Sequence, residues 1–103
     1  MTEPDRDLYS GLIRLHVLHH ASEEAIYGQG MMEELQRHGY KIGAGTLYPL
    51  LHSLEKRAYL VSKKVPEGRT WRKVYRITPR GRRALSAAKD RVKELFGELF
   101  EHG

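Results

Sequence analysis

The chain has 103 residues and no cysteine, so it is the size of one small domain, and disulfide, thiolate-metal and cysteine-nucleophile chemistry are excluded. Its net charge of +5 is uneven: residues 56–83 hold eleven Lys or Arg against Glu67 alone, a local +10 that leaves −5 elsewhere. Such a one-signed segment is a surface for polyanions, and an acidic leader with no apolar run near the roughly eighteen residues of a membrane span predicts a soluble, cytoplasmic protein.

Asp5 or Asp7 is expected to start a first helix whose Leu8, Leu12, Leu15 and Leu18 share one face. Tyr9, Ile13 and His16 widen that stripe, and an apolar arc so broad predicts packing both on its own domain and on something else. The stretch Ala21-Ser22-Glu23-Glu24 interrupts the pattern, with Ser22 a cap and the glutamates suited to a helix N-terminal region. A second helix is predicted from Ile26 or Tyr27 to His38, with Met31, Met32 and Leu35 as its apolar side and Gly39 ending it.

The turn Gly43-x-Gly45-Thr46 offers φ > 0 freedom and then an N-cap hydroxyl, so the third helix is expected near Leu47 and runs to about Arg57. Leu47, Leu50, Leu51 and Leu54 form its buried stripe. Two helices joined by a short glycine-bearing link have helix-turn-helix spacing. Residues 60–65 and 71–77 alternate and are rich in β-formers, with turn residues between them, and together predict a two-stranded wing. Thr78-Pro79 is a helix start, hydroxyl as N-cap and proline at the first position. The last helix reaches about Phe100, with Leu85, Ala88, Val92, Leu95, Phe96, Leu99 and Phe100 at helical spacing. Such a projecting stripe needs cover, most simply from a second copy of the chain.

The expected fold is therefore a single domain, mainly α with a small β-hairpin: a winged helix-turn-helix over residues 5–77 and a C-terminal dimerisation helix over residues 78–103. Tyr48, Pro49, His52, Ser53 and Lys56 lie wholly or partly off the third helix's stripe. Thr46 and Tyr48 suit hydrogen bonds to phosphates or bases, and Lys41 and Lys56 suit backbone charge. Pro49 offers apolar contact, for example to a thymine methyl. On the wing, Lys63, Lys64, Arg69, Arg72 and Lys73 form the cationic set, with an arginine at the tip matched to a narrow minor groove. Trp71 and Phe96 are candidates for stacking a small aromatic effector, against wing packing for Trp71 and dimer core for Phe96. His16 and His20, four apart on one helix, and His38 at the end of the next are candidate ligands for a divalent metal, though no carboxylate has an obvious place among them. No nucleophile, base and orienting group converge, which argues against an enzyme, and no cofactor is required.

Four segments in register carry a resemblance: Tyr27-Gly28, Gly45-Thr46-Leu47-Tyr48-Pro49, Leu54-Glu55, and Tyr75-Arg76-Ile77-Thr78-x-x-Gly81. Over roughly residues 8–85 the chain resembles the PadR-like winged-helix transcriptional regulators, in their compact branch. The resemblance implies a homodimer in which first and last helices interlock, third helices enter major grooves and wings touch backbone or minor groove. Tyr27 joins the DNA-facing set, and Leu8, Leu12, Leu15, Leu85, Val92, Leu95, Phe96, Leu99 and Phe100 the dimer interface. Ala58 stands where the family usually has glycine; alanine resists the left-handed conformation, so the end of the third helix is expected to be shaped differently. The function expected is that of a homodimeric, ligand-responsive repressor on a pseudo-palindromic operator in double-stranded DNA. The alternatives are a metal-responsive regulator or metal-binding protein, and a winged-helix protein that binds nucleic acid without sequence preference.

Overall fold

The computed structural model describes residues 6–101. Helix α1 (Arg6–Glu23) is followed by the short strand β1 (Ile26–Tyr27), helices α2 (Gly28–Arg37) and α3 (Ala44–Lys56), strands β2 (Leu60–Glu67) and β3 (Thr70–Ile77), and helix α4 (Pro79–Phe96), which continues as a π-helical turn over Gly97–Glu101. The predicted mainly helical winged-helix architecture is present, with one addition. Ile26 and Tyr27, which the sequence pattern assigns to the start of a helix, pair with Tyr75 and Val74, so the wing is the outer part of a three-stranded antiparallel sheet ordered β1-β3-β2. Two β-favouring residues beside a free strand edge gain more from the ladder than from an extra half-turn of helix.

The core sits where α1, α2, α3 and the base of the wing meet. Ile13, Val17 and Ala21 of α1 close on Met31 and Leu35 of α2, on Leu47, Leu50, Leu51 and Leu54 of α3, and on Leu60, Tyr75 and Ile77 of the sheet. Each fully buried aliphatic side chain contributes about 1.5–3 kcal/mol. On α1 the core-facing edge is Ile13, Val17, Leu18 and Ala21, whereas Leu8 is 72% exposed and Leu12 also lies open. The helix therefore has two apolar sides, of which the domain uses one.

Several predicted helix ends differ from those observed. α3 starts at Ala44, with Gly43 as an extended N-cap at φ −113°, and Leu47 donates its N–H to the Gly43 carbonyl (3.0 Å). Thr46 thus lies within the first turn instead of capping it, and among the described residues the positive φ angles fall at Gly39, Gly68 and Ala58. Ser22 is inside the last turn of α1, donating to the His19 carbonyl (2.5 Å), and caps no following helix. Asp5 lies outside the described residues, while Asp7 occupies the first turn of α1.

Both α2 and α3 end in the same hydrogen-bond pattern. Tyr40 N–H reaches the Leu35 carbonyl (3.1 Å) and Gly39 N–H the Gln36 carbonyl (3.0 Å); Tyr59 N–H reaches Leu54 (3.0 Å) and Ala58 N–H reaches Glu55 (2.8 Å). This is the six-to-one, five-to-two cap that calls for a left-handed residue. Ala58 supplies it at φ 64°, so the end of α3 keeps the glycine geometry with an alanine, against expectation. The distortion costs about 1 kcal/mol, and the start of α4 holds it in place. Thr78 N–H bonds the Tyr59 carbonyl (3.0 Å), and its hydroxyl donates to the Ala58 carbonyl (2.6 Å). The same hydroxyl accepts from Gly81 N–H (2.9 Å), capping α4 as predicted. A Cβ at Gly81 would collide with the Tyr59 carbonyl, which explains the Thr-x-x-Gly spacing.

Candidate nucleic-acid interface

The buried leucine stripe of α3 fixes which side of that helix faces out. Tyr48, Pro49, His52 and Lys56 are exposed, and Thr46 and Ser53 half-buried. These divide into two flanks. Thr46, Pro49 and Ser53 border a hollow shared with Asp7, Ser10 and Arg14 of α1, whereas Tyr48 and His52 face the wing. Between α3 and the wing lies an open hollow of about 630 Å³, lined by Tyr27, Gln29, Tyr48, His52, Trp71, Arg72 and Lys73 among others. The Tyr48 ring rests directly on Gly28, where any Cβ would overlap it. Tyr27-Gly28 and Tyr48, separate motifs in sequence, are thus one packing unit in space, and the phenol is held at the edge of the outer face of α3 by backbone.

The wing's two faces are set by its register. Leu60↔Ile77, Ser62↔Tyr75, Lys64↔Lys73 and Pro66↔Trp71 are cross-strand partners, so the face that is core at the base becomes cationic and aromatic toward the tip. Lys64 and Lys73 stand directly opposite, a like-charge pairing that destabilises an isolated hairpin. Glu55 of α3 offsets part of this, 3.8 Å from the Lys73 ammonium, while accepting from the Ser62 hydroxyl (2.5 Å) and backbone N–H (3.1 Å). The Ser62 hydroxyl, foremost, holds the Glu55 carboxyl below its usual range, with burial opposing and Ser62 N–H and Lys73 assisting. The wing is thereby tied to the C-terminal half of α3.

The predicted cations are not equivalent. Arg72 lies 3.8 Å over the Tyr27 ring and bonds Glu67 (2.5 Å), so its charge is committed within the subunit. Lys41, Lys56, Lys63, Lys64 and Arg69 are exposed, and none joins an ion pair among the described residues. Arg69 shares the two-residue tip with Gly68, whose φ is 61°.

The second surface is apolar. Leu8, Leu12, Val92, Leu95, Phe96, Leu99 and Phe100 are exposed along α1, α4 and the π turn, with Phe100 at 69%. Leu15 is half-buried; a hollow of about 550 Å³ runs between α1 and α4, and another of about 580 Å³ lies between them and the end of α3. Leu85, placed by sequence with this outer set, is buried in the subunit's own core. Trp71, 63% exposed beside Tyr48, and Phe96, in the α1–α4 groove, line different hollows, so the two effector candidates do not come together within the subunit.

His16, His20 and His38 do come together, their ligating atoms all lying within 4.8 Å of one another. A carboxylate absent from the sequence-based set joins them: Glu34 Oε2 is 2.8 Å from His38 Nε2 and 3.6 Å from His20 Nε2. Its spacing of four before His38 is the available signal. Burial, then the neighbouring imidazoles of His38, His20 and His19, push the His16 pKa down against an upward pull from Glu34. Hydrogen bonds from Arg37 first and His38 second hold Glu34 below the usual carboxylate range.

Among the described residues no helix is long and apolar enough to cross a membrane. Comparison with known proteins gives a consistent picture. The PadR-like transcriptional regulator family model matches residues 17–87. The transcriptional regulator Rv3488 of Mycobacterium tuberculosis is 45% identical over 95 residues, covering 91% of this chain and 88% of that protein. A PadR-family regulator from Eggerthella lenta, 34% identical, superposes with a TM-score of 0.79 over 94% of this chain and 88% of its own. A PadR-like regulator from Bacillus cereus shares the fold at a TM-score of 0.79 with 24% identity, over 94% and 99% of the two chains. These relatives are regulators, not enzymes, and the chain belongs to the PadR-like family of DNA-binding transcriptional regulators.

Proposed function

We propose that this regulator is a homodimeric, cytoplasmic repressor that holds a pseudo-palindromic operator with α3 in the major groove and the wing on the flanking backbone or minor groove. The observation that carries the reading is the opposed Lys64–Lys73 pair, of which Lys73 lines the same hollow as Tyr48 and His52. A face that repels itself when empty gains from a polyanion, and polar side chains on the adjoining helix supply base readout. Lys41, Lys56, Lys63 and Arg69 contribute phosphate contacts, with Arg69 at the wing tip. Thr46, Pro49 and Ser53 form the far flank of the reading helix, and Tyr27 with Arg72 braces the outer half of the wing. Leu8, Leu12 and Leu15 of one subunit cover Val92, Leu95, Phe96, Leu99 and Phe100 of its partner. Two reading helices then stand about one DNA turn apart, on the order of 34 Å. An effector acts by binding one separation of those helices better than another, since only differential affinity shifts a population.

Fluorescence anisotropy with DNA from upstream of the protein's own gene, titrated with salt and unrelated duplex, tests this reading. Binding that survives excess competitor is expected. Equal loss to any duplex would overturn sequence-specific repression in favour of a phosphate-binding winged helix, which the +10 segment alone would support.

A further inference from the structure

We infer that His16, His20 and His38 form a binding site for a transition cation of the zinc, cobalt or nickel class, with Glu34 as the carboxylate that positions two of the imidazoles. Imidazole sets without thiolate suit these ions, and three histidines leaving an open position are a recurrent ligand set for zinc. A tetrahedral ion with bonds of about 2.0–2.1 Å holds its nitrogens about 3.4 Å apart. The three histidines present ligand atoms within 4.8 Å of one another, a gap that small side-chain rotations close. His16 and His20 are one helical turn apart with their rings nearly parallel (10°), and the His16 and His38 rings are 4.7 Å apart. Glu34 Oε2 faces both His20 and His38 while Arg37 occupies Oε1, an arrangement that fixes the carboxylate and through it the two rings.

The site joins two parts of the molecule with different tasks. His16 also lines the apolar α1–α4 groove, while His38 closes α2 just before the turn into α3. An ion held by both would pin α2, and with it the mount of the reading helix, to the α1 side of the proposed dimer face. This regulatory consequence rests on the DNA-binding reading; the metal site does not.

Titration of the full-length protein with cobalt(II), followed by visible absorption, tests the site. One equivalent is expected to bind with the intense bands of a four- or five-coordinate ion. His38→Ala should abolish those bands, and this exposed helix-end position leaves the core untouched. Glu34→Gln should keep the band shape while weakening binding about 10–100-fold, as loss of a positioning carboxylate does. Glu33→Gln, a neighbouring exposed carboxylate on the same helix, should match the parent. Equal binding by parent and His38→Ala would overturn the site, as would octahedral spectra alone. Operator affinity with and without zinc tests the coupling. A zinc-dependent change that His38→Ala removes supports it, and an unchanged affinity with the ion bound overturns it. Failure to bind any operator would count against the DNA reading and leave the cobalt result standing.

Discussion

The two outward surfaces of this small protein are left incomplete in opposite ways. The α3–wing face is crowded with like charge, Lys64 against Lys73, and keeps its shape through contacts behind it: Tyr48 on Gly28, Arg72 on Tyr27, Glu55 on Ser62. The α1–α4 face carries almost no fixed polar geometry and instead exposes a run of large apolar side chains from Leu8 to Phe100. One face suits a partner that is charged and must be read residue by residue. The other suits a partner whose main requirement is to exclude water, and which a second copy of the same helices can supply.

The sharpest way to break that contrast is to charge the apolar face. Leu95→Asp is expected to weaken self-association by about 3–5 kcal/mol, the scale of an uncompensated buried charge, and to give monomers by light scattering. A variant that stays dimeric would move the interface away from α4. The reading face should respond differently. Tyr48→Ala should cost about 1–3 kcal/mol of operator binding with the dimer intact, the range for a good base-reading contact. Arg69→Ala should weaken binding to all sequences alike and reduce the salt slope by about one unit. If Tyr48→Ala lost affinity equally for every duplex, the two residues would share a phosphate role and α3 would not be reading bases there.

How much of this is legible in sequence depends on how local each determinant is. The α3 leucine stripe, the Thr78-Pro79 start of α4 and the alternating wing strands are set by neighbours three or four residues away or fewer, and each is found as expected. Strand β1 escapes a sequence reading because two residues acquire strand character only from Val74 and Tyr75, far along the chain. The same reason hides Glu34 from the histidine set, Tyr48 from Gly28, and the commitment of Arg72 to Tyr27: each needs two segments brought into register. The division of α1 into a core edge and an open edge is half legible, since periodicity shows a wide apolar arc but not which part the domain itself covers.

Ala58 turns a similar comparison into a stability test. Gly39 and Ala58 occupy equivalent positions in the caps of α2 and α3, so only the second carries left-handed strain. Ala58→Gly should stabilise the fold by about 1 kcal/mol, visible as a raised Tm, with operator binding unchanged. No gain would mean that the glycine's greater freedom in the unfolded chain cancels the relieved strain.

The smallest effect concerns the brace between the two halves of the reading face. Glu55 has its carboxyl held below the ordinary glutamate value of 4.5, chiefly by the Ser62 hydroxyl. A depressed carboxylate pKa stabilises the fold fully above the unfolded value, and that contribution is lost as pH falls through the folded one. Glu55→Gln removes the charge while keeping the shape, so the parent should be more stable by about 0.5–1 kcal/mol near neutrality, a value discounted for the partial exposure of the pair. Denaturant melts at stepped pH should show that gap closing as the pH drops below 4.5. A gap that stays constant through the acid limb would mean that Glu55 acts by packing. The Lys64–Lys73 repulsion would then be balanced on the DNA side alone, making the wing looser in the free protein than its hydrogen bonds to α3 imply.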